Sequence, residues 1–486
     1  MSGIASWVTA KDLRHRLDAD FYRPEYLEFD HRAEARGLKM RQVVEISSLV
    51  TDGTHKTPSY VDSGVPFLSA KNIQNGFVDA SIGHKYVSAA EFDQLERWNC
   101  APRPDDVLVA KSGSIGSAGL AKGAYDRFAV FESAAIIRPS GVIPAYLSAY
   151  LNSNLGQLQI RRNSKGAVIR HLHLEDLRGV EVPLPDRQIQ DYIGAKVELA
   201  ERCRSHSAKL RSRAMELLAQ SWAWGNRGPA ELQDKAESQI AHTVEPRIFE
   251  DRLDSEFYHP SFLAVDRWLD GQPCWRLSEL VEAPVKGVQP SYDSDGSVPA
   301  LTVTHVDPFV LDRNGARGLV TDAWLSRNAR ARIEAGELLY TVTGPPLGET
   351  VVVEEFHLPA AVNSHVARVA LRPHFKFPHL VAGMLNSPLG QLQTTRYSKG
   401  IRQKELYSVD FVRFRFPKLS SQTCARLERD LAASCRLVEE ARVLVEQAKA
   451  DVEALIDGTL DEQAILAGTL KAPTANDIPE LAEDGA

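Results

Sequence analysis

The sequence lacks the cysteine patterns and the apolar runs that define several classes of protein. Its five cysteines are an odd number and lie far apart, with no CxxC pair and no paired histidines. This argues against a disulfide framework and against a structural zinc site. No window approaches the ~20 uninterrupted apolar residues that a membrane-spanning helix needs. The first residues, MSGIASWVTAKDLRHRLD, carry charges where a signal peptide would have an apolar core, so the sequence predicts a cytoplasmic protein without a membrane partner.

Motifs for catalysis and cofactor binding are also missing. There is no GxxxxGK[ST] phosphate loop, and the Pro345-Pro346 pair lacks the flanking residues of the [DNS]PP[YF] motif with which amino-methyltransferases hold a flipped base. No metal-spaced cluster of His, Cys and Asp and no nuclease-type PD-(D/E)xK arrangement stands out. The sequence therefore predicts no catalytic residue, no metal ligand and no cofactor, and any chemistry would come from partner subunits.

Length and charge restrict the chain in two further ways. At 486 residues it is too long for one hydrophobic core, which seldom grows past roughly 250 to 300 residues. Its formal charge of −7 is unfavourable for a DNA-binding protein, because phosphate neutralisation supplies most non-specific affinity. A basic face can coexist with acidic helices or with basic partner subunits, so the net charge does not exclude DNA binding.

The chain contains two copies of one sequence plan. Residues 151–166 (LNSNLGQLQIRRNSKG) and 385–400 (LNSPLGQLQTTRYSKG) agree at 12 of 16 positions, which indicates an internal duplication. Three other segments recur at nearly the same offset. They are RLDADFYRPEY (16–26) with RLDSEFYHPSF (252–262), VPFLSAKNI (65–73) with VPALTVTHV (298–306), and DDVLVAKSGSIG (105–116) with GELLYTVTGPPLG (336–348).

A long helix is predicted after each copy. Apolar and small residues recur there at alternating spacings of four and three, which is typical of a coiled-coil seam. Two such helices in one chain can bury their stripes against each other and act as a stiff spacer. The seam of the first helix is Ile189, Ile193, Lys196, Ala200, Cys203, Ser207, Leu210, Ala214 and Leu217; that of the second is Leu427, Leu431, Ser434, Val438, Ala441, Val445, Ala448, Val452 and Leu455.

Short β-rich runs bounded by Gly, Pro, Asp and Ser, next to segments of helical spacing, predict an α+β fold. The fold would have two similar domains separated by two long antiparallel coiled-coil helices, in a pseudo-two-fold internal repeat. The acidic, small-residue end of the chain predicts disorder. The predicted segments are a first domain (1–185), a first spacer helix (186–222), a linker (223–245), a second domain (246–418), a second spacer helix (419–458) and a disordered acidic tail (459–486).

These motifs resemble the specificity subunits of type I restriction-modification systems. The resemblance runs from about residue 12 to residue 458 and rests on the order of the motifs, repeated twice with a long helix each time. The second half departs from the pattern, because TVTGPPLGE (341–349) replaces the KSGSIG loop and FRFPKLSS replaces VPLP. The motifs of the first half are DGTHKTPSYVDSGVPFLSAKNIQNG (52–76), DDVLVAKSGSIG (105–116), LNSNLGQLQIRRNSKG (151–166) and GVEVPLPDRQIQDYI (179–193).

The resemblance implies two target recognition domains that each read part of a split site in double-stranded DNA. It implies two methyltransferase subunits as partners, with or without restriction-translocase subunits, docked on the helices. A coiled-coil scaffold or antagonist that binds proteins and not DNA stays open as an alternative, and the acidic charge favours it slightly. The two middle segments differ, since one reads AKNIQNGFVDA and the other TVTHVDPFVLD. This divergence favours DNA recognition over the scaffold, because two half-sites require two different surfaces.

Polar loops on a rigid sheet can supply contacts both to base edges and to phosphates. We expect Gly113 and Gly116 to let the backbone approach a phosphate, although the same loop could be a simple strand-to-turn connection. The DNA-contacting candidates of the first half are His55, Lys56, Thr57, Lys71, Asn72, Lys111 and Ser112, and those of the second half are Gln289, Thr302, Thr304, His305 and Thr343.

Basic residues around the Ser-Lys-Gly turn of each copy form a second candidate set for holding the DNA backbone. The alternative is that the turn closes a helix with glycine as its C-cap and leaves the lysine solvated. The RLDxxFYxP segments have the composition of an anchor, in which an aromatic pair beside proline ties a terminal segment to a core. The basic candidates are Arg161, Arg162, Lys165 and Arg170 in the first copy, and Arg396, Lys399, Arg402 and Lys404 in the second.

Overall fold

The chain mixes helices and sheets, as the sequence predicts, and divides into two compact units. The first unit combines Met1–His206 with Leu437–Ala486, and the second unit is Ser207–Arg436. Both unit boundaries fall inside the long helices, so each unit contains one domain and a part of each helix. The computed structural model describes residues 8–9, 13, 18–74, 76–79, 83–122, 125–164, 171–222, 244, 249, 252–316, 318–400 and 402–482.

The first unit begins with a short 3-10 turn, Ala19–Tyr22, followed by helices and short strands. Its helices are α1 (Pro24–Ala35), α2 (Ala89–Arg97), α3 (Pro144–Asn152), α4 (Asn154–Asn163), α5 (Leu174–Arg178) and the start of α6 (Arg187–Ser221). Its strands are β1 (Lys39–Gln42), β2 (Ser47–Asp52), β3 (Tyr60–Val61), β4 (Val65–Leu68), β5 (Ile73–Gln74), β6 (Phe77–Val78), β7 (Lys85–Val87), β8 (Val107–Ala110), β9 (Ala118–Leu120), β10 (Ala129–Val130), β11 (Ala134–Pro139) and β12 (Glu181–Leu184).

Two four-stranded sheets carry the first unit. One has the order β2-β11-β8-β9 and the other β10-β4-β7-β3, and the pairs β1-β12 and β5-β6 complete it. Strand β11 is central because it pairs antiparallel with both β2 and β8. All four residues of β8 are buried, as expected for an apolar run covered on both faces. These sheets hold the loops that follow β2 and β8 in fixed positions.

The second unit repeats this plan. Its helices are α7 (Pro260–Asp270), α8 (Leu277–Leu280), α9 (Asp322–Arg327), α10 (Pro378–Asn386), α11 (Pro388–Tyr397), α12 (Ser408–Phe411) and the start of α13 (Ser421–Asp457). Its strands are β13 (Cys274–Arg276), β14 (Val285–Lys286), β15 (Val298–Leu301), β16 (Val306–Asp307), β17 (Val310–Leu311), β18 (Leu319–Val320), β19 (Leu338–Thr341), β20 (Thr343–Gly344), β21 (Thr350–Val352), β22 (Ala361–Val362), β23 (Val366–Val369), β24 (Lys404–Glu405) and β25 (Arg415–Pro417).

The main four-stranded sheet has the same strand order in both units, whereas the second sheet of the second unit has three strands, β18-β15-β22, in place of four. The order β14-β23-β19-β21 matches β2-β11-β8-β9, and β13-β25 and β16-β17 match β1-β12 and β5-β6. A partly buried ion pair recurs at equivalent positions in each copy: Arg138 Nε and Nη2 donate to Asp106, and Arg368 Nε and Nη2 donate to Glu337. The second unit also contains a two-stranded sheet, β20-β24. The duplication seen in the sequence is therefore a duplication of topology.

The two long helices occupy Arg187–Ser221 and Ser421–Asp457, where the sequence predicted residues 186–222 and 419–458. Within the first unit, Lys196 on α6 forms an ion pair with Asp451 on α13. Within the second unit, the hydroxyls of Ser207 and Ser434 lie 2.8 Å apart. Every predicted seam residue of α13 except Val438 is buried. Each unit therefore contains parts of both helices in contact with each other.

The C-terminal segment corrects one expectation. The predicted disordered tail from residue 459 is ordered as far as residue 482, with helices α14 (Glu462–Leu466) and α15 (Pro479–Ala482). Ile465 is buried in the main core of the first unit, and Glu462 forms an ion pair with Arg36 of α1. The acidic composition indicated disorder, but Leu460 and Ile465 supply apolar contacts that hold the segment to the core. Residues 483–486 lie outside the described part.

Two composition-based expectations can be compared with the structure. All five cysteines are free thiols, consistent with the spacing that argued against a disulfide framework. Among the helices of the described ranges, none combines the length and the apolar character required to cross a membrane.

Candidate nucleic-acid interface

The most similar segment of the two copies, LNSxLGQLQ, fixes the backbone around it. Asn152 Nδ2 donates to Ala118 O at 2.9 Å, and Asn152 Oδ1 accepts from the Ala118 N–H at 3.0 Å. Ser153 caps α4, because its Oγ accepts from the Gly156 N–H at 3.1 Å. The same bonds are made in the second unit by Asn386 with Thr350 and by Ser387 with Gly390.

The glutamine of this segment holds the glycine loop that follows β8 in the first unit and β19 in the second. Gln157 Nε2 donates to Gly116 O at 2.8 Å and to Leu151 O at 2.7 Å. Gln391 Nε2 likewise donates to Gly348 O at 2.8 Å. Gly116 and Gly348 have φ of 83° and 88°, a left-handed conformation that glycine adopts without strain. These asparagine, serine and glutamine bonds, which we call the shared frame, therefore position an exposed loop in each unit.

The loop held by Gln157 presents Ser112 and Gly113 at the surface. Ser112 is partly buried, and Gly113 is exposed with φ of 69°. Lys111 points back into the unit, where its Nζ forms an ion pair with Asp52 at the end of β2. The loop thus offers backbone and hydroxyl groups to a ligand, whereas the Lys111 ammonium is already paired with a carboxylate.

The loop after β2 places His55 beside two carboxylates. His55 is two-thirds exposed, with Nε2 3.3 Å from Asp52 Oδ1 and Nδ1 2.5 Å from Glu132 Oε2. Asp52 also pairs with Lys111, so these four side chains form one mixed cluster of hydrogen-bond donors and acceptors. Such a mixture suits base edges, since carboxylates accept from cytosine N4 and cationic groups donate to guanine. It is less suited to phosphates, because the two carboxylates would repel a phosphate.

Two lysine–aromatic pairs lie close to this loop. Lys56 is exposed, and its Nζ lies 5.7 Å from the ring centroid of Trp98. Lys85 Nζ lies 5.6 Å from the centroid of Tyr60, and both rings are nearly half exposed. Sequence reasoning missed Tyr60, Lys85 and Trp98, because they come from β3, β7 and the end of α2. An exposed aromatic four positions after Lys56 was the signal that could have shown the first of them.

The remaining candidates of the first sheet region have different surroundings. Thr57 and Lys71 are exposed. Asn72 is fully buried, with Oδ1 accepting from the Ser69 N–H at 3.1 Å and Nδ2 donating to Asp79 O at 3.2 Å. Its amide is thus used within the turn after β4, and we leave Asn72 out of the proposed interface.

The basic candidates of α4 divide in the same way. Arg161 is exposed. The Arg162 side chain is fully buried and donates from Nη1 to both carboxylate oxygens of Asp30, at 2.9 and 2.8 Å. Arg162 therefore ties α4 to α1 and is unavailable to a DNA surface. Lys165 and Arg170 lie outside the described residues.

The RLDxxFYxP segment explains the buried arginine. Arg162 stacks over Phe21 with its guanidinium carbon 4.3 Å from the ring centroid, and Arg396 stacks over Phe257 at 4.5 Å. Each Nε donates to the carbonyl of the same phenylalanine. The prediction that these aromatic pairs anchor a terminal segment is confirmed, since Phe21, Tyr22, Phe257 and Tyr258 are all buried.

Three candidates of the second unit form one closed turn. Thr302 Oγ1 lies 2.9 Å from Thr304 Oγ1 and 3.0 Å from His305 Nδ1, and the Thr302 N–H also donates to His305 Nδ1 at 3.0 Å. Thr304 is exposed, whereas Thr302 and His305 are partly buried. Gln289 is exposed after β14. Thr343 is buried in β20 and is not available at the surface.

The basic candidates of the second unit are mostly paired with carboxylates. Lys399 Nζ lies 2.8 Å from Asp410 Oδ2, and Lys404 Nζ lies 3.3 Å from Glu256 Oε2. Arg402 is exposed. Arg396 is buried and pairs with Asp266, so it has the same position as Arg162 in the first unit and is likewise left out of the interface.

Sequence reasoning also missed a lysine–tyrosine group beside these residues. Tyr407 is nearly half exposed, and the Nζ atoms of Lys286 and Lys399 lie 5.9 and 5.5 Å from its ring centroid. Lys286 forms an ion pair with Glu405 of β24. The group joins β14 to the segment after the Ser-Lys-Gly turn, two regions that are far apart in the sequence.

The Ser-Lys-Gly turn of the second unit provides a stability prediction. Gly400 has φ of 116°, and a Cβ there would lie 2.3 Å from Gln403 O, so Gly400→Ala should cost more than the ~1 kcal/mol expected from conformation alone. Gly336→Ala is the matched control, because Gly336 has φ of 83° and no atom within 4 Å of such a Cβ. Urea denaturation should show the larger loss for Gly400→Ala; equal losses would contradict a crowded turn. Gly166 lies outside the described residues.

Comparison with known proteins gives one curated relative. The chain is 28% identical over 140 residues to the specificity subunit of the type I restriction enzyme EcoBI of Escherichia coli, and the match covers 28% of this chain and 29% of that protein. The aligned region thus spans less than a third of the relative's length. No protein-family profile matches the chain. The resemblance to type I specificity subunits that the motifs indicated is confirmed by this relative.

Solved structures of the same kind of subunit align along most of the chain. The S subunit of the type I restriction-modification system from M. genitalium has a TM-score of 0.38 at 12% identity and covers 87% of this chain and 96% of its own. The HsdS subunit from Thermoanaerobacter tengcongensis has a TM-score of 0.27 at 16% identity, covering 87% and 97%. A chain from a study of complex assembly in the type I system has a TM-score of 0.27 at 16% identity, covering 89% and 98%.

Proposed function

We propose, from the confirmed resemblance to type I specificity subunits, that this chain is the sequence-reading subunit of a type I restriction-modification complex. Each unit reads one half of a bipartite site in double-stranded DNA, and the long helices set the gap between the halves. The chain itself is non-catalytic and acts in the cytoplasm. Two methyltransferase subunits, and in restricting systems a translocase-nuclease subunit, supply the chemistry.

The observation that carries this proposal is a shared frame with different exposed side chains. Gln157 and Gln391 hold equivalent loops through equivalent bonds. The surface positions differ, however. His55, two residues after Gly53, corresponds to Gln289, two residues after Gly287, and exposed Lys71 corresponds to exposed Thr304. Retaining the frame while changing the surface is what two unlike half-sites would require.

The exposed groups differ in the bases that they can read. Lysine donates to guanine O6 and N7, glutamine pairs with adenine N6 and N7, and threonine contacts the thymine methyl group. Lys56 and Lys71 give the first unit guanine-type donors, whereas Gln289 and Thr304 give the second unit adenine- and thymine-type contacts. We therefore expect the two half-sites to differ in base composition.

The alternative function, a scaffold or antagonist that does not read DNA, is favoured by charge. The chain carries a formal charge of −7, and three candidate lysines are paired with acidic residues, namely Lys111, Lys399 and Lys404. These three ammonium groups are already paired, so we expect part of the basic surface for the DNA backbone to come from partner subunits. The DNA experiment therefore uses the assembled complex.

Selection from random duplex DNA by the methyltransferase-bound complex tests the function. The expected result is a bipartite motif with a fixed gap, recovered at moderate salt. Methylation of the same motif in the host, lost on deletion of this chain, is the independent readout. Sequence-indifferent binding at every salt concentration, together with an unchanged host methylome, would overturn the proposal in favour of the scaffold.

Single substitutions should separate the two half-sites. We expect Lys71→Ala to relax base selection in one half-site and Gln289→Ala to relax it in the other, by about 1–3 kcal/mol per lost base contact. Lys209→Ala is the matched control, because Lys209 is an exposed lysine of α6 and belongs to neither loop. Competition binding with single-base variants of the selected site measures the effect. If either substitution relaxed base selection equally in both half-sites, the proposal that each unit reads one half-site would be contradicted.

The helices provide a geometric prediction. Removing seven residues from each long helix shortens both by about 10 Å at ~1.5 Å per residue, which corresponds to about three base pairs at ~3.4 Å each. The selected motif should keep its two half-sites and lose about three base pairs of gap. Ser207→Ala, which keeps the helix length, is the control. An unchanged gap in a folded deletion variant would show that the helices do not set the spacing.

A further inference from the structure

Three side chains of metal-ligand type meet in the second unit. Glu354 follows β21, His379 is in the first turn of α10, and Cys435 lies on α13. One potential ligand atom from each lies within 4.8 Å of the others. His379 and Cys435 are each 7% exposed, whereas the Glu354 side chain is 26% exposed, so the group lies at the edge of the interior. It could not be predicted from the sequence, because the three residues come from separate elements.

A fourth residue orients the imidazole. His379 Nδ1 lies 2.9 Å from Glu428 Oε1, and Glu428 Oε2 accepts from the Leu380 N–H at 2.9 Å. Nδ1 is therefore fixed as the donor nitrogen, and Nε2 faces Glu354 and Cys435. Nε2 lies 2.9 Å from Glu354 Oε1 but makes no aligned hydrogen bond in this buried position. A carboxylate that holds the far nitrogen of a histidine is the usual second layer of a metal site.

The first unit shows what the same positions look like without such a group. In the alignment of the two copies, Lys122 corresponds to Glu354 and Ala145 to His379. Gly194 and Glu201 on α6 correspond to Glu428 and Cys435 on α13. A Cβ on Gly194 would lie 3.2 Å from Ala145 Cβ and 3.3 Å from Ile143 Cγ2, so the helix and the domain pack closely there without polar side chains from Gly194 or Ala145. The second unit thus replaces a simple packing contact by four residues with coupled chemistry.

The geometry points to a binding site for a divalent transition-metal ion of the zinc class, held by Glu354 Oε1, His379 Nε2 and Cys435 Sγ. Thiolate, imidazole and carboxylate together are a zinc-type ligand set, and three protein ligands leave one position for water. The ion would join α13 to α10 and to the segment after β21, all within the second unit. This inference departs from the sequence-based expectation of no metal and is independent of the proposed function.

A metal-free ion cluster is the competing account. Burial by itself lowers the pKa of His379, but contacts with Cys435, Glu354 and Glu428 outweigh it and raise the pKa to about 11. Without metal the side chain is then an imidazolium, with its Nδ1 proton directed at Glu428 and its Nε2 proton directed at Glu354. A metal ion would displace the Nε2 proton and the Cys435 thiol proton, so two protons leave for each ion bound. The two accounts differ in metal content and in the state of the Cys435 sulfur.

Cobalt(II) substitution in the purified full chain, together with its partner subunits where needed for solubility, distinguishes them. We expect one cobalt per chain with a thiolate-to-cobalt charge-transfer band. Zinc(II) should raise the melting temperature of the metal-depleted protein, and a chelator should reverse the rise. Elemental analysis of the protein as isolated should show close to one zinc per chain.

Matched variants make the assignment specific. Cys435→Ser and His379→Gln should abolish the charge-transfer band, whereas Cys424→Ser, which changes another buried cysteine of the same helix, should keep it. No band and no zinc-dependent melting shift in the wild-type protein would overturn the site and leave the ion cluster. Loss of the band in Cys424→Ser but not in Cys435→Ser would place the metal elsewhere. The wild-type measurement stands even if a variant fails to fold.

Discussion

Replacing Arg162 or Arg396 by methionine is expected to reduce the free energy of unfolding by about 3–5 kcal/mol, the cost of breaking a buried ion pair from one side. Arg162 is fully buried and pairs with Asp30, and Arg396 pairs with Asp266. Methionine fills much of the volume but removes the guanidinium from Asp30 or Asp266. Asp266 keeps its ion pair with Arg415, so we expect the smaller loss for Arg396. Denaturant unfolding followed by circular dichroism measures the loss.

The expected loss of stability is large because several contacts of Arg162 are lost at the same time. The Arg162 guanidinium also donates from Nε to Phe21 O at 3.0 Å and stacks on the Phe21 ring. Its loss therefore releases the α1 carboxylate and the aromatic anchor at the same time. The substitution should weaken attachment of residues 18–35 to the rest of the first unit, which limited proteolysis can detect.

Two controls separate the buried pair from general damage. Arg161→Met changes an exposed neighbour on the same helix and should alter stability by less than about 0.5 kcal/mol. The double variant Arg162→Met/Asp30→Leu removes both charges and should recover much of the loss. If Arg161→Met and Arg162→Met had equal effects, the structural role given to Arg162 would be wrong.

Glu201→Gln is expected to stabilise the protein at pH 8 and to have little effect near pH 4.5. Glu201 is buried on α6, and burial raises its pKa to about 8, with Arg204 opposing the rise and Asp79 adding to it. Arg204 Nη1 lies 3.8 Å from Glu201 Oε2. This distance is long for an ion pair and does not offset the loss of hydration on burial. We therefore take Glu201 as neutral at pH 7.

The direction of the pH effect follows from the proton balance. An unfolded glutamate ionises near pH 4.5, whereas folded Glu201 keeps its proton up to about pH 8. Between these values the folded state binds more protons, so stability falls as pH rises. At ~1.4 kcal/mol per pKa unit, the total is on the order of 5 kcal/mol. Glutamine removes this dependence, because it has no proton to retain.

The measurement is the stability difference between wild type and Glu201→Gln at several pH values from 5 to 8. Groups common to both proteins cancel in the difference. Glu198→Gln, at an exposed position of the same helix, should give a small difference at every pH. A difference for Glu201→Gln that does not grow with pH would mean that Glu201 is ionised and paired with Arg204.

Much of the architecture could be predicted because it is local or repeated. Heptad spacing located the two long helices, and the duplicated LNSxLGQLQ segment located two copies of one topology. The C-terminal segment could not be predicted from composition, because its order depends on Ile465 reaching the core of a domain whose strands lie some 280 residues or more earlier in the chain. Contacts of that sequence separation leave no periodic signal.

The candidate interface was less predictable than the fold. Residue type alone does not distinguish Arg161, which is exposed, from Arg162, which is buried beside Asp30. The same holds for Lys71 and Asn72. Trp98 and Tyr60 were missed because two strands and a helix end bring them to the surface near Lys56. Prediction succeeded where one element fixes a residue's role and failed where several elements do.

The division of the chain into units affects how the protein can be made. The second unit is one continuous stretch, Ser207–Arg436, inserted between the two pieces of the first. During synthesis the second unit can be completed while the first still lacks Ala448, Val452 and Leu455 of its core. The core of the first unit therefore has to wait until residues 448–455 have left the ribosome, and until then the unit is the more exposed of the two to proteases and chaperones.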